Sequence, residues 1–302
     1  MPACQARLPD GRLHFQHGPI DIVIGADGDT RAIEAAHALA WHRFEGVLGE
    51  LVAELPLLRR PIDGPCRLTG PIARRMWLAC EPYREGYITP MAAVAGAVAQ
   101  ELIACYERDG IERAWVNDGG DIAWHLASHR SLRVGLFADL SRLDADQILN
   151  GIRSDGQLDV THDMPVRGVA TSGWRGRSFS RGIADSVTVL ARTAAEADAA
   201  ATVIANAVDV NDARIVRKPA CELKDDSDLG AIAVTVDVPP LGADVARRAL
   251  AAGARCAAGL RDAGRIWSCT LVCQGQVTYV GETQFEHAVE EHATPVHATA
   301  VV

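Results

Sequence analysis

Two stretches of this chain are built almost entirely from side chains too small to shield a backbone. They are Met-Ala-Ala-Val-Ala-Gly-Ala-Val-Ala at 91–99 and Ala-Ala-Glu-Ala-Asp-Ala-Ala-Ala at 194–201. Both begin on helix-start signals. Thr89 is a cap candidate, and Pro90 takes the first helical position, where its missing N–H costs nothing. Thr193 and Glu196 form a T-x-x-E capping box. The first helix is predicted to run to about Tyr106 and the second to about Val208. Helices this slender let other backbones come close, so they imply tightly packed layers against a sheet or a ligand. A larger amphipathic helix is predicted from Arg31 to about Leu55, capped by Thr30 and closed by Pro56. Its apolar face is Ile33, Ala36, Leu39, Ala40, Phe44, Val47, Leu48 and Leu51. A further helix is predicted over Asp244–Ala263.

Strand signals lie between the helices. Gln5–Ile24 reads as strands about an Asp10–Gly11 turn. Ile111–Leu126 reads as strand, turn and strand about Asn117-Asp118-Gly119-Gly120. Leu132–Phe137, Val166–Thr171, Ala184–Leu190 and Ile232–Val236 read as single strands, and Ile266–Gly281 as a hairpin about Gln274–Gly275. A helical turn or strand fits Ala73–Cys80, and Asn211–Leu229 reads as charged loop. Hairpins recur and the alternation is not strict, so the fold class is α+β, with mixed, largely antiparallel sheets packed against helices. Residues 1–284 are read as one domain and 285–302 as a disordered tail.

Composition excludes several function classes. The chain has 302 residues, 48% of them hydrophobic, with a net charge of −9. The acidic balance argues against a nucleic-acid partner. No chargeless stretch reaches the roughly 18–20 apolar residues of a membrane span. The N-terminus lacks a signal-peptide core, so a cytoplasmic location is expected. The eight cysteines are scattered without a CxxC, as reduced thiols are. Cys269 and Cys273, four apart in a strand, share a face and read as buried apolar thiols.

Three segments carry chemistry. In Asn117-Asp118-Gly119-Gly120-Asp121, the two glycines make a tight turn whose N–H groups can meet a ligand, while carboxylates can take hydroxyls or a metal. Thr171-Ser172-Gly173-Trp174-Arg175-Gly176-Arg177 offers hydroxyls, amides and two guanidiniums to a phosphate, without matching a P-loop or a dinucleotide fingerprint. Asp198 and Thr202 lie four apart on one helix face, a hard-oxygen pair suited to Mg²⁺. Ordinary structural uses compete in each case: a hairpin turn, a solvated loop, a surface carboxylate with a core-facing threonine.

Taken in series, Ala92–Gln100, Asn117–Asp121, Ala170–Gly173, Ser186–Val189 and Ala197–Thr202 resemble the ApbE family of FAD:protein FMN transferases. The similarity is to a divergent branch with the run Ile88–Ala97. It implies a T-fold-like α+β domain, a Mg²⁺ held by Asp198, Thr202 and the carbonyl of Ala92, and a nucleotide or flavin-like ligand such as FAD or FMN. Gly119, Gly120, Thr171, Ser172, Gly173, Arg175 and Arg177 would contact that small phosphorylated ligand. Asp185 and Asp121 are the carboxylates to weigh as catalytic base. An acceptor protein and a homodimer are further expectations, and one-carbon coenzyme biosynthesis is a setting known for the branch. The chain also departs from the family pattern. The motif lysine is Ala95, the motif aspartate is Gln100, and the His-x-x-Asp-Pro segment is replaced by Trp174–Asp185. FMN transfer is therefore expected to be weak or absent.

Overall fold

The alternation at the N-terminus folds into three antiparallel strands, β1 (Cys4–Arg7), β2 (Leu13–His17) and β3 (Ile20–Gly28). The computed structural model describes residues 2–136, 156–176, 178–281 and 299–301. β4 (Ile111–Asp118), β5 (Asp121–Leu126), β8 (Gly168–Ser172), β9 (Ser186–Ala191), β12 (Ser268–Cys273) and β13 (Gln276–Val280) extend them into a nine-stranded sheet. Its order is β1-β2-β3-β4-β5-β8-β9-β12-β13, and every neighbouring pair is antiparallel. β6 (Ser131–Leu136) and β7 (Gly156–Thr161) pair in a smaller sheet, which β14 (Thr299–Val301) joins in parallel. The rest of the expected tail and most of the polar segment 139–163 lie outside the described residues. The fold is α+β, as the recurrent hairpins imply.

Helices cover one face of the large sheet. Against the sheet lie α1 (Thr30–Leu58), α3 (Val94–Ile103), α4 (Ala194–Ala207) and α6 (Ala243–Asp262), while α2 (Pro71–Cys80) packs on other helices and the short α5 (Ala220–Leu223) follows the strand at 216–219. Ile22, Ile24, Ala114 and Val116 of the sheet meet Ala40, Phe44, Val47 and Leu102 of the helices. Further along, Ala170, Val187 and Val189 meet Ala197, Ile204, Ala249 and Leu250. The opposite face buries Trp115, Ile122, Trp124 and Val169 against Leu132, Val134 and Val160 of the small sheet. Among the described residues no helix is long and apolar enough to cross a membrane.

Several element ends differ from the sequence reading. Asp29, not Thr30, caps α1, its carboxylate accepting the Ala32 N–H at 2.9 Å. Pro56 does not close that helix. It sits in the last turn, which continues to Leu58 and is finished by the Arg59 N–H on the Leu55 carbonyl. Leu39, expected inside, is 45% exposed. Ala73–Cys80 belongs to a true helix, α2, opened by Pro71. The Thr89 hydroxyl does not cap a helix but donates to Asp228 across the fold, and Pro90–Ala93 forms a 3₁₀ turn ahead of α3. The capping box forms by half. Thr193 accepts the Glu196 N–H at 3.2 Å, whereas one Glu196 oxygen lies 3.9 Å from Arg192 and the other is buried without a partner. Asn211–Leu229 is not all loop, since it holds β10 (Val216–Pro219), paired with β11 (Ala233–Asp237), and α5.

The slender helices do pack as closely as their composition demands. A Cβ on Gly96 of α3 would stand 2.3 Å from the Ala194 carbonyl oxygen, and one on Gly168 of β8 only 2.1 Å from the Ala194 nitrogen. Neither backbone can yield locally. Gly96→Ala is therefore expected to destabilise by about 1–3 kcal/mol or more. Gly49→Ala, on the exposed face of α1 with open space around it, should stabilise by roughly 0.5–1 kcal/mol. Urea denaturation of the two variants checks the opposite signs.

Candidate functional site

The β4–β5, β8–β9 and β12–β13 connections all lie at one end of the large sheet. The first is a two-residue turn. Gly119 and Gly120 have φ of +65° and +112°, values that L side chains rarely adopt. The Asn117 side chain accepts the Gly120 N–H at 2.8 Å. This turn sets Asp118 directly opposite Asp121. Strand alternation places both on the helix-covered face, with Val116 and Ala123.

Helix α4 brings a third carboxyl. Asp198 accepts the Gly96 N–H at 3.0 Å, and the Ala95 amide also reaches it. It thus serves as the acceptor for the first turn of α3, where the helix dipole favours a negative charge. Its other partner is Asp121, which in turn accepts the Thr171 N–H at 3.1 Å. Burial pushes the Asp121 carboxyl well above the usual carboxylate range, and the charge of Asp198 pushes it further. Burial also raises Asp198, to about 7, with the Gly96 amide and Asp121 opposing and the charge of Asp118 adding to the rise. Desolvation of both carboxyls favours a proton shared between Asp121 and Asp198. Behind this pair the buried Cys80 thiol is pushed up by desolvation and by Asp198, and it points at the Pro90 carbonyl.

The other expected site residues divide into groups. Thr202 lies one turn beyond Asp198, half-buried, and Ala92 sits in the 3₁₀ turn that packs on α4. The Thr171 backbone faces Asp121, but its hydroxyl bonds Thr188 at 2.9 Å. Ser172 follows at the end of β8. Gly173 passes so close to β9 that a Cβ would lie 2.4 Å from the Asp185 carbonyl oxygen. Asp185 accepts the Trp174 indole N–H at 3.3 Å and the Gln274 backbone N–H, and Arg175 stacks on Trp174 at 4.8 Å. These residues brace the β8–β9 loop against the β12–β13 turn. Arg177 lies outside the described residues. Cys269 and Cys273 are buried thiols raised by desolvation, Cys273 to about 12.

The structure adds what the sequence reading did not single out. Asp118 is part of the carboxyl cluster, a consequence of the hairpin register. The Ala95 and Gly96 amides have no side-chain signature beyond the glycine itself. Among the described residues no three His, Cys, Asp or Glu side chains converge as a metal-binding group. A groove of about 670 Å³ between α2, α3 and the start of α4 is lined by Arg74, Arg75, Gln100 and Glu196, and by none of the expected site residues.

The family model described as AbpE bacteria matches residues 5–279. A UPF0280 protein of Methanopyrus kandleri is 35% identical over 212 residues, covering 68% of this chain and 78% of that protein. Among solved structures, the ApbE protein of Thermotoga maritima aligns with a TM-score of 0.46 at 13% identity, covering 93% of this chain and 97% of that one. The flavinyl transferase ApbE of Pseudomonas stutzeri, in its apo form, aligns with a TM-score of 0.41 at 13% identity, covering 92% and 93%.

Proposed function

The chain belongs to the AbpE bacteria family, an ApbE-like branch, and from that footing we propose that it binds a phosphorylated, nucleotide- or flavin-like ligand together with Mg²⁺ beside the Asp121–Asp198 pair. The observation that supports this most is the meeting of Asp121 and Asp198. Two desolvated carboxyls share a proton there, and among the described residues neither is paired with an arginine or lysine. Hard oxygens held in that state are a donor set that a hard divalent cation fits. Mg²⁺ commonly takes one or two carboxylates and completes its shell with water and phosphate.

In this reading Asp198, the Thr202 hydroxyl and the Ala92 carbonyl would hold the metal. When bound, the metal would neutralise charge on the ligand's phosphates. Asp121 shares the proton that Asp198 would have to give up to serve as a ligand. The Gly119 end of the turn and the backbone at Ser172–Gly173 would face the phosphates, the Gly120 N–H being held by Asn117. Of the two carboxylates weighed as base, Asp121 is the better placed, because it touches Asp198. Asp185 is engaged by the loop brace.

Mg²⁺ at a hundredfold excess over its Kd is expected to stabilise the fold by about 2.7 kcal/mol. Thr202→Val should lose most of that gain while keeping the fold. The check is thermal unfolding with MgCl₂ against EDTA. No shift at millimolar MgCl₂ in the parent protein would overturn the metal site. Incubation with FAD and Mg²⁺, followed by chromatography, then separates the chemistries: AMP release marks transfer, and tight flavin retention without AMP marks a binding protein.

A further inference from the structure

Three arginines and a tryptophan gather at the end of the large sheet opposite the β4–β5 turn. Arg192 follows β9, Arg261 and Arg265 flank the end of α6, and Trp267 leads into β12. With Pro165 and Ile266 they line a groove of about 460 Å³, a volume in the range of small-molecule sites. No carboxylate is among the groove's lining residues. In a chain of net charge −9 this is a local reversal of sign.

The groove is held by backbone that cannot easily rearrange. Helix α6 ends in a Schellman motif. Gly264, at φ +67°, donates to the Arg261 carbonyl at 2.8 Å, and the Arg265 N–H reaches back to the Leu260 carbonyl at 2.9 Å. The Trp267 backbone N–H then bonds the Leu190 carbonyl at 2.7 Å, which ties that residue's main chain to the sheet. Ile266, buried between them, anchors the turn in the core. The main chain that carries Arg261, Arg265 and Trp267 is thereby fixed.

Existing partners do not neutralise the groove. Arg192 has Glu196 at 3.9 Å and Arg261 has Asp262 at 3.2 Å. Both pairs are exposed and water-screened, and pairs of that kind contribute little. Arg265 has no ion pair among the described residues. The partial negative charge at a helix C-terminus, about half a unit, opposes an anion here but is outweighed by three guanidiniums. Trp267 is 38% exposed, unusual for so large an apolar ring.

We propose that this groove binds a nucleoside phosphate, its phosphates on Arg192, Arg261 and Arg265 and its base against Trp267. Planar guanidiniums match phosphate oxygens in bidentate fashion, and indole faces stack on nucleobases. The site is separate from the carboxyl cluster and needs no metal.

The test is calorimetric titration of the full chain with ADP in EDTA, which silences any Mg²⁺ site and keeps the two readings independent. Saturable binding is expected. Arg265→Glu should weaken it roughly tenfold or more, as loss of one charge-assisted contact does. Arg192→Gln, a milder change on an exposed side chain, should weaken it in the same direction. Trp267→Leu should reduce ADP affinity toward that of pyrophosphate alone, and adenosine alone should bind poorly. Absence of saturable ADP binding would overturn the site, as would affinity unchanged in both arginine variants. Binding of a single-stranded oligonucleotide without ADP binding would also overturn it, assigning the groove to a polymer.

Discussion

Asp121→Asn should keep the protein folded and flatten its pH dependence, whereas Asp198→Ala should destabilise it at every pH. The asymmetry follows from what else each carboxyl bonds. Asp121 shares a proton with Asp198 and accepts from the Thr171 N–H. An asparagine amide reproduces both bonds, N–H to Asp198 and oxygen to the Thr171 amide, and carries no titratable proton. Asp198 instead supplies the acceptor for the first turn of α3. Alanine there leaves the Gly96 and Ala95 amides without their acceptor, at about 1–3 kcal/mol.

The sign of the pH effect follows from both carboxyls titrating higher in the fold than in the unfolded chain. Their contribution is complete below the unfolded value near 4 and is lost as pH rises toward the folded value, about 7 for Asp198. In EDTA the parent protein should thus lose stability between roughly pH 4 and 7. A three-unit shift corresponds to ~4 kcal/mol for Asp198 alone, and coupling and residual solvent access bring the expected loss to about 1–3 kcal/mol. Asp121→Asn should remove a large part of that slope. Urea denaturation at pH 5 and pH 8 reads both variants. A parent stability that rises across this window would show that the pair is ionised in the fold.

Local features of this site were legible and long-range ones were not. Gly119–Gly120 announced a hairpin because two consecutive left-handed residues suit few alternatives, and the register then follows. Thr193 announced the start of α4, and Pro90 that of a helical segment, whose first turn proves to be 3₁₀ ahead of α3. The meeting of Asp198 with the Gly96 amide, 102 residues away, has no local signal, since any carboxylate on α4 would look the same. Thr89 shows the converse. Its sequence reads as a cap, but Asp228 takes the hydroxyl because the tertiary fold offers a charged acceptor. Pro56 misled for a simpler reason. One lost bond in a last turn does not end a helix whose next residues still pack. The arginine groove was hidden because its parts come from three segments that only the sheet order brings together.

Flavinyl transfer from FAD is expected to run at least 100-fold below an authentic ApbE transferase assayed beside this protein. The family motif's lysine is Ala95 here, and Ala95 contributes its backbone amide to Asp198 instead of a cationic side chain to a ligand. Its aspartate is Gln100, whose oxygen is buried without a partner. Its histidine-bearing segment is replaced by Trp174–Asp185, and the ends of that loop are spent on a brace: Trp174 on Asp185, Asp185 on Gln274. Removing one positioned acid or base costs roughly 10²–10⁴-fold by itself. Ligand and metal binding should survive better, because Asp198 and Thr202 depend on α4 alone and α4 is packed on all its small faces. The measurement is flavinylation of a known acceptor with FAD and Mg²⁺, read by covalent flavin fluorescence. A rate within tenfold of the authentic enzyme would mean that the missing lysine and histidine are replaced within the carboxyl cluster. Asp121→Asn, which leaves the fold intact, would then abolish the activity and identify the base.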